Sequence, residues 1–168
     1  MSSKNRLITD FYDLRVKQLM DSRTWDMPLM EENDDINHVF SILEGRHHIW
    51  IVKDKINMKL LGVITEHDIL TILTPKHFSS FVVGMPRIES IEQGTVKTAG
   101  DIMNRKVIDC KPDDKIIDVL NKMLEFKIRR LPVVINNKLM GELTLHQLIR
   151  KYYTATQFIP IDESEKGV

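Results

Sequence analysis

Thr65 and Asp68 stand three positions apart in "LGVITEHDIL", residues 61–70, where an apolar run gives way to a helical pattern. That spacing suits a capping box, in which the threonine hydroxyl accepts the N–H three residues on and the acidic side chain reaches back. It also suits a nucleoside. A helix N-terminus offers free N–H groups and partial positive charge to a phosphate near Thr65, and a carboxylate one turn in can accept the hydroxyls of a ribose. The two uses are compatible. A second stretch, "MGELTLHQLI" at 140–149, repeats the pattern with Thr144 but places Gln147 where the first has Asp68. A cap tolerates Gln as readily as an acid, whereas a ribose loses the charge-assisted hydrogen bonds of a carboxylate. The cleft at Asp68 is therefore expected to be the better nucleoside site, and the one at Thr144 empty, weak or differently occupied.

Other chemistries fit less well. Six histidines are available, His38, His47, His48, His67, His77 and His146, but no HExxH or Cys-His spacing appears. Adjacent His47 and His48 would point to opposite faces of an extended segment, and His67 and His146 occupy matching first-turn positions. No metal site is expected. There is no GxxxxGK[ST], GxGxxG or GxSxG, and the single cysteine, Cys110, has no evident base, so it reads as a small structural residue. The chain is expected not to be an enzyme and to need no cofactor. Lys plus Arg equals Asp plus Glu at 24 each, so no net field draws the chain to nucleic acid or an anionic membrane. A lone cysteine suits a reducing compartment, and neither a signal peptide nor a run of about 20 apolar residues is present. A soluble cytoplasmic protein is expected.

The elements that must position these residues occur twice. Thr65 and Thr144 lie 79 positions apart; "IWIV" at 49–52 matches "LPVV" at 131–134 with a shift of 82; "VKQLM" at 16–20 matches "AGDIM" at 99–103 with a shift of 83. His47-His48 and Arg129-Arg130 precede the matching strands. "DDKIIDVLNKMLEFKI" places Ile116, Leu120, Met123 and Leu124 on one helical stripe, with Asp113 or Asp114 to cap it. "RRLPVVINNKLMGELT" reads as two strands joined at Asn136-Asn137, and "LHQLIRKYY" as a closing helix. In the first copy a helix over 35–43 stops at Gly45 and "HIWIVKDKINMKLLGVIT" forms the hairpin. The spacing predicts a helical lead-in over 1–15, repeats at 16–74 and 97–154, a connecting segment at 75–96 with a short helix around 78–83, and a frayed tail at 155–168. Methionines and the Tyr152-Tyr153 pair fall where helices should pack, so core or dimer contact is their expected role. The fold expected is α+β: two βαββα repeats packed sheet to sheet as a pseudo-twofold pair, with two related clefts.

These residues resemble tandem CBS domains, the Bateman module. The likeness rests on "DIM" and "QLM" opening the two units, "DDKIIDVLNKMLEFKIRRLPVV", and "GVITEHDIL", in the right order over most of the chain. The resemblance implies a regulatory module that binds AMP, ADP, ATP or S-adenosylmethionine between the repeats, pairs into a homodimer and signals to a partner protein. By the same resemblance His47, His48, Arg129 and Arg130 would face phosphates. Arginine's planar fork suits that role, and a histidine-dependent site would bind phosphate better on mild acidification. Each cleft would be completed by the opening segment of the other repeat: Thr98, Ala99 and Val107 at Asp68, Val16 and Met20 at Thr144. The alternative is a ligand-free dimerisation and protein-interaction module in which Thr65 and Asp68 only cap a helix.

Overall fold

Short apolar runs bounded by turn residues build the first repeat. In the computed structural model, which describes residues 9–73 and 96–157, strand β1 (Leu29–Glu31) runs parallel to β2 (His48–Val52), and β2 pairs antiparallel with β3 (Leu60–Thr65). Helix α1 (Ile36–Leu43) connects β1 to β2; Asp35 caps it by accepting the Asn37 N–H at 2.8 Å. Helix α2 (Glu66–Leu73) follows β3 directly. All five residues of β2 are buried, as expected of a central strand covered on both faces. Ile49 and Ile51 pack with Met30, Val39, Ile64 and Ile69, whereas Trp50 and Val52 pack on the opposite face with Met27 and Leu139.

The second repeat opens with the short helix α3 (Ala99–Ile102) and continues through α4 (Ile116–Phe126), the hairpin β4 (Arg130–Ile135) and β5 (Lys138–Thr144), and α5 (Leu145–Gln157). Asn136 and Asn137 both adopt positive φ, 50° and 62°, the pairing a two-residue hairpin turn requires. The counterpart of β1 is reduced to one parallel bridge, Cys110 to Val133. On α4 the buried stripe is Ile116, Val119 and Met123, with Leu120 half-buried. Leu124, expected on that stripe, is 80% exposed because it lies about a quarter turn off the stripe's axis. The capping expectation is also corrected. The N-cap is Lys115; Asp114 instead closes the preceding turn by accepting the Lys111 N–H at 3.0 Å, and Asp113 pairs with Lys17 at 2.7 Å. Asp34 closes the matching turn of the first repeat from the Glu31 N–H, so Lys115 stands where the first repeat has its cap Asp35.

Two compact units result, and they do not coincide with the two repeats. Among the described residues, one unit comprises 23–73, 96–107 and 136–139, the other 9–22, 108–135 and 140–157. We term them the Asp68 unit and the Thr144 unit. Each takes in the opening segment of the other repeat. Ala99 and Met103 join the core of Ile49 and Ile64; Val16 joins that of Leu131, Val133 and Leu143. Close backbone approach makes this docking specific. Val63 and Asn104 exchange backbone hydrogen bonds at 2.8 and 3.0 Å, and Asp21 and Glu142 do so at 2.9 and 3.0 Å. At Gly62 an added Cβ would meet Met103 Sδ at 2.7 Å and the Asn104 carbonyl at 2.9 Å; at Gly141 it would meet the Asp21 carbonyl oxygen and Met20 Cε.

Residues 9–13 of the expected lead-in are helical and bury Phe11 against Tyr152, with ring centroids 5.3 Å apart. No helix among the described residues is long and apolar enough to cross a membrane. The helix expected around 78–83, His77 and the tail from 158 on lie outside the described residues.

Candidate functional site

The Thr65–Asp68 junction forms where β3 ends and α2 begins. Asp68 Oδ2 accepts both the backbone N–H of Thr65, at 2.7 Å, and its hydroxyl, at 2.8 Å. Both residues are half-buried. In the other unit Gln147 Oε1 accepts the Thr144 N–H at 2.7 Å and the Thr144 hydroxyl at 3.0 Å, while the Gln147 N–H reaches Thr144 Oγ1 at 3.3 Å. An amide oxygen thus performs the capping done by a carboxylate.

The same device recurs at the opening segments. Asp101 Oδ2 accepts the Lys97 and Thr98 N–H groups, each at 2.9 Å, and the Thr98 hydroxyl at 3.1 Å. In the Thr144 unit the Arg15 N–H donates to Gln18 Oε1 at 2.7 Å. Backbone donors from Lys97 and then Thr98 hold the Asp101 carboxyl below its ordinary range. Sequence reasoning named Thr98 and missed Asp101, although the Thr-x-x-Asp spacing is that of Thr65 and Asp68.

His48 pairs with Thr65 in the β2–β3 ladder, is 3% exposed, and meets Trp50 edge-on at 4.9 Å. His47 is exposed; its Nδ1 lies 3.1 Å from Glu66 Oε1, and its carbonyl accepts the Glu66 N–H at 3.4 Å. The corresponding carbonyl of Arg129 accepts the Leu145 N–H at 2.8 Å. The side-chain pairing differs because Leu145 occupies the place of Glu66. Arg129 is exposed and Arg130, which starts β4, is half-buried.

The opening segments supply the remaining named residues. Ala99 is fully buried, Thr98 half-buried, and Val107 packs against the Trp50 and Leu139 cluster of the Asp68 unit. Val16 is fully buried and Met20 half-buried in the Thr144 unit. The Asp68 unit therefore gathers His47, His48, Thr65, Asp68, Thr98, Ala99 and Val107, and the Thr144 unit gathers Val16, Met20, Arg129, Arg130 and Thr144.

No group of three or more His, Cys, Asp or Glu among the described residues could hold a metal ion. Burial pushes the Cys110 thiol up to about 12, so at neutral pH it is the protonated thiol, whose Sγ lies 3.7 Å from the Pro132 carbonyl oxygen.

Comparison with known proteins follows the same two stretches. The family model for the CBS domain matches residues 16–75 and again 99–154. A Methanocaldococcus jannaschii protein described as uncharacterized protein MJ1426 is 32% identical over 109 residues, or 54% of this chain; the match spans 65% of that relative's length. The structure of CBSX2, an Arabidopsis thaliana CBS-pair protein, in complex with AMP superposes with a TM-score of 0.68 at 22% identity, covering 84% of this chain and 98% of that one. The CBS domain pair of protein MJ0100 in complex with 5′-methylthioadenosine and S-adenosyl-L-methionine gives 0.58 at 25% identity, covering 84% and 97%. Two matches in tandem, together taking in more than half of the sequence and both capped junctions, make this chain a member of the CBS domain family.

Proposed function

We propose that the chain is a regulatory module that binds an adenosine-type nucleotide (AMP, ADP, ATP or S-adenosylmethionine) at the Asp68 junction and signals to a partner protein. The observation that carries this reading is the exchange of Asp68 for Gln147 between two caps of the same hydrogen-bond geometry. Capping does not need the charge, whereas hydrogen bonds from ribose hydroxyls are strengthened by it. CBS relatives with AMP, or with 5′-methylthioadenosine and S-adenosyl-L-methionine, support the ligand class. Thr65 and Asp68 would take the ribose and adjoining phosphate, His47 and His48 the phosphate side, and Thr98, Ala99 and Val107 of the second repeat the flank of the cleft. Arg129, Arg130, Thr144, Val16 and Met20 would frame a second, weaker site. Nucleotide binding can shift the module only by its difference in affinity between two states, and the output passes to another chain. The repeats of this module are 16–74 and 97–154.

A second reading is a ligand-free dimerisation and interaction module. The exposed Leu124 of α4 and Ile149 and Tyr153 of α5, 80, 57 and 62% accessible, favour a role for these helices in contact with another chain, a second copy first of all. Isothermal titration calorimetry with AMP, ADP, ATP and S-adenosylmethionine in turn separates the readings. Saturable heat with one of the four, lost in Asp68→Ala, is expected. A folded, ligand-free protein that gives no heat with any of them leaves only the interaction reading.

A further inference from the structure

Trp25 is 82% exposed, although tryptophan is among the residues most buried on average. It sits on a single 3-10 turn, Thr24–Asp26, just ahead of β1. The turn is anchored at its C-terminal end. Met27 is buried with Trp50 and Val52, and Pro28 accepts the Trp50 N–H at 2.9 Å. Asp26 Oδ1 lies 3.5 Å from Arg46 Nη2. Arg46 adjoins His47, whose carbonyl and imidazole both meet Glu66, the first residue of α2. Two consecutive residues, Arg46 and His47, thus touch the Trp25 turn and the Asp68 junction respectively, within one compact unit.

We propose that the Trp25 indole is the stacking platform for the base of the nucleotide whose ribose Asp68 receives. This rests on the nucleotide reading above and adds what that reading lacks, a side chain that engages the base. An indole offers a large flat π-face, and stacking of a base on an aromatic ring needs no matched hydrogen bonds. Burial of Met27 and the hydrogen bond from Trp50 to Pro28 anchor the C-terminal end of the turn that carries the platform, and an anchored platform lowers the ordering cost of binding. Stacking would select a planar base over a bare sugar phosphate and leave the phosphate number to other residues.

The chain's two tryptophans make the test direct, because Trp50 is 2% exposed and Trp25 is not. AMP, ADP, ATP and S-adenosylmethionine would each be titrated by calorimetry and by tryptophan fluorescence against wild type, Trp25→Phe and Trp25→Ala. The expected result is quenching of the solvent-exposed emission in wild type, no quenching in Trp25→Phe with most affinity kept, and a loss of affinity on the order of 10- to 100-fold in Trp25→Ala. Calorimetric binding that survives Trp25→Ala unchanged, with no quenching in wild type, would overturn the stacking role while leaving the Asp68 site standing. No binding of any of the four to wild type would remove the nucleotide reading, and this proposal with it.

Discussion

At the strand-to-helix junctions and the opening segments, the side chains that reach back to cap are carboxylates in the Asp68 unit, Asp68 and Asp101, and amides in the Thr144 unit, Gln147 and Gln18. The distances barely change, 2.7 Å to the Thr65 N–H against 2.7 Å to the Thr144 N–H. Folding asks each of these side chains for one acceptor oxygen, which Asp and Gln both have. At Asp68 the charge is therefore surplus to capping, since Gln147 caps the matching junction without it. The residues beside the junctions also differ: the His47 ring lies against Glu66 in the first, whereas in the second only the Arg129 carbonyl meets Leu145, by accepting its N–H. A charge that the fold does not require is where a ligand's demands become visible.

The docking of the opening segments gives the largest contrast to break. Gly141→Ala drives a methyl into the Asp21 carbonyl, whose oxygen accepts the Glu142 N–H; Gly62→Ala strikes first the flexible Met103 thioether and only then the Asn104 carbonyl. Urea unfolding should show Gly141→Ala losing about 3 kcal/mol and Gly62→Ala about 1 to 2 kcal/mol. Equal losses would mean that the two units accept their opening segments with the same tolerance.

Gln147→Asp sharpens the comparison from the other side. It restores the carboxylate in the Thr144 unit without removing a capping oxygen. Calorimetry should then detect a second nucleotide site, or a strengthening of about tenfold at that junction. No change in stoichiometry or affinity would show that features other than residue 147 separate the two sites.

Much of this architecture was legible in the sequence. Asp35 ahead of α1, the Asn136-Asn137 turn and both hairpins follow from capping and turn chemistry that local sequence records. Leu124 falls off the buried face because a stripe counted as i, i+4, i+7, i+8 drifts around the helix, whereas Val119 lies closer to the centre of that face. The three-residue β1 is too short for any periodicity, and its parallel pairing with β2 is set by tertiary structure alone. Asp101 opens the "DIM" stretch, whose part in the repeat masks the Thr-x-x-Asp capping spacing it forms with Thr98. The role of Gly62 and Gly141 depends on what lies opposite, some 40 residues downstream in one case and about 120 upstream in the other.

A smaller effect should appear in acid. The carboxyl of Asp101 is held below its ordinary value of 3.8 by the Lys97 and Thr98 N–H groups. Its contribution to stability is thus complete well above pH 3.8 and declines as pH falls below it toward the lowered folded value. In urea titrations across that range, wild type should lose its advantage over Asp101→Asn as pH drops, whereas Gln18, which cannot titrate, gives the Thr144 unit no such limb. A constant difference between the two proteins would contradict the assignment.

The least change is expected at Cys110. Its buried thiol, with its pKa pushed up to about 12, should resist a thiol reagent at pH 8 in the folded protein and react on unfolding. Fast labelling under native conditions would show that the core of the Thr144 unit opens more readily than its packing implies.

The most direct test of the account is Asp68→Gln, which writes the second repeat's own cap into the first. Circular dichroism and a thermal melt should show the variant folded with a midpoint close to wild type, because Gln147 demonstrates that an amide caps this junction. Calorimetry with the best of the four adenosine ligands should show affinity falling on the order of 100-fold. Unchanged affinity in the folded variant would contradict the claim that the Asp68 charge exists for a ligand and return the junction to a helix cap.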